Sequence, residues 1–148
     1  ASVCAVDRSR QALWVAMANA AQMGASVSFL ESDWFAGLGS ERFDLIVANP
    51  PYVAAADHHL AQGDVRFEPR SALAAGPEGL DDLERIVGSA PAYLESGGWL
   101  LLEHGYNQAA GVRSRLLDAG FVDVASWQDL GGVERVTGGR RLRPTAAA

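Results

Sequence analysis

Apolar positions fall along this chain in short blocks, and the spacing inside each block predicts its element. The opening run Ser2-Val3-Cys4-Ala5-Val6 closes on Asp7 and reads as a buried strand. From Ser9 to Met23, Leu13, Ala16, Met17 and Ala20 recur at helical spacing, with Ser9 placed to cap the start and Gly24 to end it. Ser26 to Leu30 alternates polar and apolar as a strand does, and Glu31 to Phe35 leads as a loop into the turn Gly37-Leu38-Gly39. Phe43 to Ala48 is a continuous apolar run of the kind covered on both faces of a parallel sheet. Asn49-Pro50-Pro51 must end it, because proline cannot donate to a ladder. Leu80 to Leu94 returns to helical spacing through Leu83, Ile86, Val87 and Ala90, with Pro91 expected to kink it or end it early. Gly98 to Glu103 then reads as a strand, Asn107 to Ala119 as a helix, Phe121 to Trp127 as an alternating strand and Glu134 to Gly139 as a last strand. Strands alternating with helices of this length predict an α/β fold, a mostly parallel twisted sheet with helices on both faces.

Composition narrows the class. With 148 residues, 49% of them hydrophobic, the chain can bury one core, so residues 1–141 are expected to form one domain and residues 142–148 a disordered tail. The net charge is −6 and every one of the 12 basic residues is arginine. No polybasic face offers the phosphate attraction that dominates general nucleic-acid binding, so direct nucleic-acid binding is not expected. Cys4 is the single cysteine and has no internal disulfide partner. No apolar run approaches the roughly 20 residues that span a bilayer, and no secretory leader is legible, so a cytoplasmic location is expected.

In open α/β sheets, ligands sit beyond the carboxyl ends of the strands, and Asp7, Asp33-Trp34 and Asn49 are all predicted there. Asn49-Pro50-Pro51-Tyr52 is the sharpest signal. An amide or aniline-type nitrogen is a poor nucleophile because its lone pair is delocalised, so an enzyme that alkylates it must hold it in place and favour the developing charge. The Asn49 side-chain oxygen and the Pro50 carbonyl can accept from its two N–H groups. Prolines at 50 and 51 fix φ and remove two backbone donors, so the acceptors arrive preorganised, and Tyr52 offers a flat ring for a planar group to stack on. The competing reading is a plain strand-ending turn, which these residue types also favour. In-line attack on a sulfonium methyl needs no metal, and no set of ligands at metal spacing is present; His58 and His59 lack a third partner.

Val47-Ala48-Asn49-Pro50-Pro51-Tyr52-Val53, with Gly63-Asp64-Val65-Arg66-Phe67-Glu68-Pro69 and Leu101-Leu102-Glu103-His104-Gly105, resembles the bacterial release-factor glutamine methyltransferase family. The Asn-Pro-Pro-Tyr signature alone is shared with methyltransferases of the adenine exocyclic amine in DNA; the segment from Gly63 to Pro69 and Ser32-Asp33-Trp34-Phe35 favour the glutamine enzymes. The resemblance implies a Rossmann-like class I methyltransferase fold, S-adenosyl-L-methionine as cofactor, and methyl transfer to the glutamine of a Gly-Gly-Gln loop in peptide chain release factors, the protein partners. It gives Asp7 the ribose hydroxyls, Trp34 the adenine, and Asn49 a place in the cofactor site as well as in the substrate site. Asp7 read alone is equally a helix N-cap, and Trp34 a loop residue closing the core. The loop of residues 52–79, carrying Arg66 and Glu68, would shape the mouth for the substrate, although a surface ion pair explains those two as well. Glu103 and His104 receive no catalytic role.

One expected part is absent. Gly37-Leu38-Gly39, Gly97-Gly98 and Gly131-Gly132 all lie outside the strand-to-helix context of a cofactor-binding glycine loop. The chain is therefore expected to be an N-terminally truncated piece, lacking the first strand and glycine-rich loop, with that strand's place between the strands ending at Asp7 and Asn49. Two alternatives stay open: a DNA adenine methyltransferase, and a non-catalytic methyltransferase-like binding module.

Overall fold

The computed structural model describes residues 1–52 and 80–142. Gly63 to Pro69 with Arg66 and Glu68, His58, His59 and the tail after Leu142 lie outside the described residues. The chain divides into two compact units, Ala1–Glu41 and Arg42–Ala148.

In the first unit, β1 (Cys4–Asp7) leads into α1 (Arg10–Met23) and then β2 (Ser28–Glu31). The predicted caps are both in place. The Ser9 side chain accepts from Ala12 N–H, and Gly24 takes the left-handed conformation, φ 64°, that glycine adopts without a Cβ penalty. Leu13 is the buried anchor of α1, whereas Met17, expected on the same face, is 49% exposed. β1 and β2 pair in parallel, Asp7 opposite Glu31. Their carboxyl ends therefore lie side by side, and Ser32 N–H donates to the Asp7 carbonyl at 3.0 Å.

The second unit holds β3 (Phe43–Ala48), α2 (Asp81–Tyr93), β4 (Leu94–Glu103), α3 (Ala109–Asp118), β5 (Phe121–Gln128) and β6 (Glu134–Arg141) in a sheet of order β3-β4-β6-β5. β3 runs parallel to β4, and β6 is antiparallel to both β4 and β5, so β3, β4 and β5 point one way and β6 alone is reversed. The reversal follows from chain length: residues 129–133 can close a hairpin but not a parallel crossover. Asp129 shapes this turn by accepting from the Gly131 and Val133 amides. Those bonds and the Arg135 guanidinium hold its carboxyl below the usual carboxylate range.

Alternation along β4 separates the two faces of this sheet. Leu100 and Leu102 are wholly buried with Leu83, Ile86, Val87, Val112 and Leu116 of α2 and α3, which pack on each other and on the sheet. On the opposite face Trp99 meets Trp127 edge to face at 6.4 Å, while Leu45 and Val47 of β3 stay exposed. Within this unit the described helices thus cover one face rather than two. Pro91 does not end α2 early: the helix runs on to Tyr93, at the cost of the one bond that a residue-91 N–H would have made to the Val87 carbonyl. Among the described residues β1, β2, β3 and β5 each have a strand partner on one side only.

Gly138 is where β6 fits most tightly. A Cβ there would stand 2.6 Å from the Leu100 carbonyl oxygen and against the Leu101 side chain, and the backbone cannot yield. Gly138→Ala is expected to cost about 1–3 kcal/mol in urea unfolding. Gly88→Ala, mid-helix with nothing near its Cβ, is expected to stabilise by about 0.5–1 kcal/mol. Equal effects of the two would contradict this packing.

Candidate functional site

Each unit carries predicted site residues at the carboxyl ends of its parallel strands. In the first, Asp7 closes β1 and is exposed. Its Oδ1 accepts from the Ser9 amide at 2.6 Å, shaping the turn into α1, and its other oxygen has no partner among the described residues. Asp7 is therefore not the N-cap of α1, a place Ser9 takes; its carboxylate shapes the turn ahead of that cap.

Beside it, the loop after β2 is built around Ser32, a buried hydroxyl that donates to the Trp34 carbonyl at 2.8 Å and accepts from the Gly37 amide at 2.8 Å. Trp34 is half-buried with φ 53°, a left-handed conformation uncommon for a bulky residue. Ser32 holds that backbone through the Trp34 carbonyl. Such a conformation persists only where the surroundings over-determine it, and it is concentrated at ligand sites. Cys4, in the same unit, is no candidate nucleophile: burial first, then the Glu41 carboxylate, raises its thiol above the ordinary value.

In the second unit, Asn49 follows the last residue of β3 and is exposed, and no described residue hydrogen-bonds its carboxamide. Pro50 is fully buried and Pro51 and Tyr52 are half-buried. The proline ring pins the corner while the Asn49 side chain projects from it. Pro50 is thus covered while the Asn49 side chain beside it is open.

The corner is tied to the end of β4. Tyr52 Oη donates to Glu103 Oε1 at 3.3 Å, a long contact, and Gln108 Nε2 donates to the Tyr52 carbonyl at 3.0 Å. Gln108 Oε1 accepts from the Gly105 amide at 2.8 Å. His104, wholly buried, lies at 2.9 Å from the Gly105 carbonyl through Nδ1 and at 2.7 Å from Thr137 Oγ1 through Nε2. Ser126, Arg113 and Glu134 extend the chain to the surface. His104 is thus tied to the strand ends by both ring nitrogens, while Glu103 and Gln108 touch the motif directly. Sequence reasoning passed over Gln108. A glutamine immediately before a helix is a poor N-cap, and that misfit was the available signal that its amide serves something else.

Among the described residues no cluster of three or more His, Cys, Asp or Glu could hold a metal, and no helix is long and apolar enough to cross a membrane.

Residues 1–68 match the model of the family described as the methyltransferase small domain. The release factor glutamine methyltransferase of Xylella fastidiosa (strain 9a5c) is 54% identical over 141 residues, 95% of this chain and 51% of that protein. Its counterpart in Pseudomonas aeruginosa is 51% identical over 140 residues, 94% of this chain and 51% of that protein. The resemblance carried by the motifs thus extends over nearly the whole chain, and the chain spans about half the length of the curated relatives it matches. Among solved structures, a methyltransferase from Pyrococcus furiosus superposes with a TM-score of 0.71 at 15% identity, covering 95% of this chain and 63% of that one. A Thermus thermophilus 16S rRNA N2 G1207 methyltransferase, solved with AdoMet and guanosine, gives 0.65 at 20% identity, covering 95% and 32%. The fold is the Rossmann-like fold of class I methyltransferases.

Proposed function

We propose that this chain is part of a release factor glutamine methyltransferase and carries the residues that transfer a methyl group from S-adenosylmethionine to the side-chain amide nitrogen of glutamine in a Gly-Gly-Gln loop. The observation that carries the reading is the exposed, uncommitted carboxamide of Asn49 at the end of a parallel strand, on a corner stiffened by two prolines, in a chain so similar to enzymes of that name.

The first unit fits the donor. A carboxylate oxygen of Asp7 faces outward at a strand end, the position from which ribose hydroxyls are held, and Trp34 lies in the adjoining loop with an indole suited to adenine. When bound, S-adenosylmethionine supplies an electrophilic methyl on a sulfonium. Asn49 Oδ1 accepts from one N–H of the glutamine amide, which orients the nitrogen and favours the positive charge that builds as it is alkylated. The Pro50 carbonyl accepts from the second N–H. Tyr52 sets its ring against the planar amide. The alkylated nitrogen is acidic, so its proton is lost without a dedicated base. A lone cysteine and a release-factor substrate fit a cytoplasmic setting.

The test is incubation of the intact protein with radiolabelled S-adenosylmethionine and either a release factor or duplex DNA. Label in the release factor alone is expected. Label in DNA alone would move the assignment to the adenine enzymes, and label in neither, with the cofactor bound, would favour a non-catalytic module.

A further inference from the structure

We propose that Gln108 is a positioning residue that sets the Asn49–Tyr52 corner through the Tyr52 carbonyl; the inference rests on the function proposed above for that corner. Gln108 stands at the N-cap of α3, yet its side chain makes no capping bond to the helix. Both ends of its amide are used elsewhere. Nε2 donates to the Tyr52 carbonyl at 3.0 Å and Oε1 accepts from the Gly105 amide at 2.8 Å, so one planar group bridges the loop after β3 to the loop after β4.

Gly105 leaves room for the bridge: a Cβ at position 105 would lie 3.1 Å from Gln108 Oε1 and 3.3 Å from its Cδ, so the amide would have to give by a few tenths of an ångström. The other side of the same residue is fixed by His104. A carbonyl can only accept, so Nδ1 carries the proton donated to Gly105 O at 2.9 Å, and in the neutral ring Nε2 then accepts from Thr137 Oγ1 at 2.7 Å. Thr137 in turn accepts from Ser126 at 2.7 Å, and Ser126 accepts from Arg113 at 2.7 Å. Each link in this chain has one consistent donor and one acceptor. It runs from the Arg113–Glu134 ion pair, through the sheet, to the Gly105 backbone, and Gln108 carries it on to Tyr52. The sheet thereby holds the motif at the Tyr52 backbone, beside the contact that the Tyr52 hydroxyl makes with Glu103.

Three variants of the intact protein test this. Gln108→Glu keeps an acceptor for Gly105 but faces the Tyr52 carbonyl with a carboxylate. Gln108→Met removes both bonds at similar volume. Gly105→Ala displaces the amide without altering its chemistry. Each is expected to lower kcat about three- to tenfold with the Kd of S-adenosylmethionine unchanged, and to shift the NMR signals of the Tyr52 amide and the Asn49 side-chain NH2. Wild-type kcat, or loss of kcat only in step with cofactor affinity and melting temperature, would overturn the proposal. Should the wild-type protein leave release factors unmethylated, the functional reading fails, and the NMR signals alone decide the positioning: unmoved signals at Tyr52 and Asn49 in all three variants reject it.

Discussion

Asn49→Ala in the intact protein is expected to lower kcat by about 10²- to 10³-fold, with the Kd of S-adenosylmethionine within about twofold of wild type. The expectation follows from where the charge goes. A ground-state amide nitrogen carries little positive charge, and an acceptor gains little by facing it. As the methyl arrives the nitrogen becomes cationic, and its N–H groups become far stronger donors. The Asn49 oxygen therefore contributes more in the transition state than in the bound substrate, which is the condition for an effect on kcat rather than on KM. Removing one preorganised partner of this kind typically costs about 2.7–4 kcal/mol. The substitution leaves the proposed donor residues Asp7 and Trp34 themselves unaltered. Single-turnover methylation of a release factor together with calorimetry of cofactor binding separates the two quantities; an active alanine variant would end the mechanism.

Asp7→Asn is expected to produce the reverse pattern, weakening S-adenosylmethionine about ten- to a hundredfold while kcat at saturating cofactor stays within about threefold. A hydrogen bond to a charged group is worth about 1.5–3 kcal/mol, and the variant removes the charge. Asparagine is the informative substitution because its oxygen can still accept from the Ser9 amide, now at 2.6 Å from Asp7 Oδ1, and so preserve the turn into α1. Alanine would confound cofactor binding with loss of that turn. Titration calorimetry of the intact protein reads the effect directly, and an unchanged Kd would reduce Asp7 to a turn residue.

Local chemistry made most of this fold legible from the sequence. The ends of α1 could be placed because Ser9 and Gly24 act on their own helix, and β3 because an apolar run meets a residue type that cannot extend a ladder. What depended on distant partners was missed. β4 begins at Leu94, ahead of a Glu-Ser-Gly-Gly stretch that reads as a turn, because Leu94 pairs with Phe43 and the register then shifts before Leu45 meets Trp99. The place of β6 between β4 and β5 was equally hidden, since Gly138 weakens a strand by propensity and strengthens this one by allowing the neighbouring backbone to approach. At the site, Asn49 and Asp7 were visible as strand-end residues. The His104–Thr137–Ser126 chain was not, because its members lie 33 and 11 residues apart and only the pairing of β6 with both β4 and β5 brings them together.

β1, β2, β3 and β5 each leave one edge without a described strand partner, and β3 presents Leu45 and Val47, 51% and 68% exposed. Exposed apolar strands with open backbone are prone to pair with whatever strand is at hand.

The most direct test of the account is a crystal structure of the intact protein with a Gly-Gly-Gln peptide and the demethylated cofactor. The account predicts the glutamine amide nitrogen within about 3 Å of Asn49 Oδ1, its plane stacked on Tyr52. A peptide seated with its glutamine away from Asn49, or an Asn49 carboxamide turned to bond the protein instead, would contradict it.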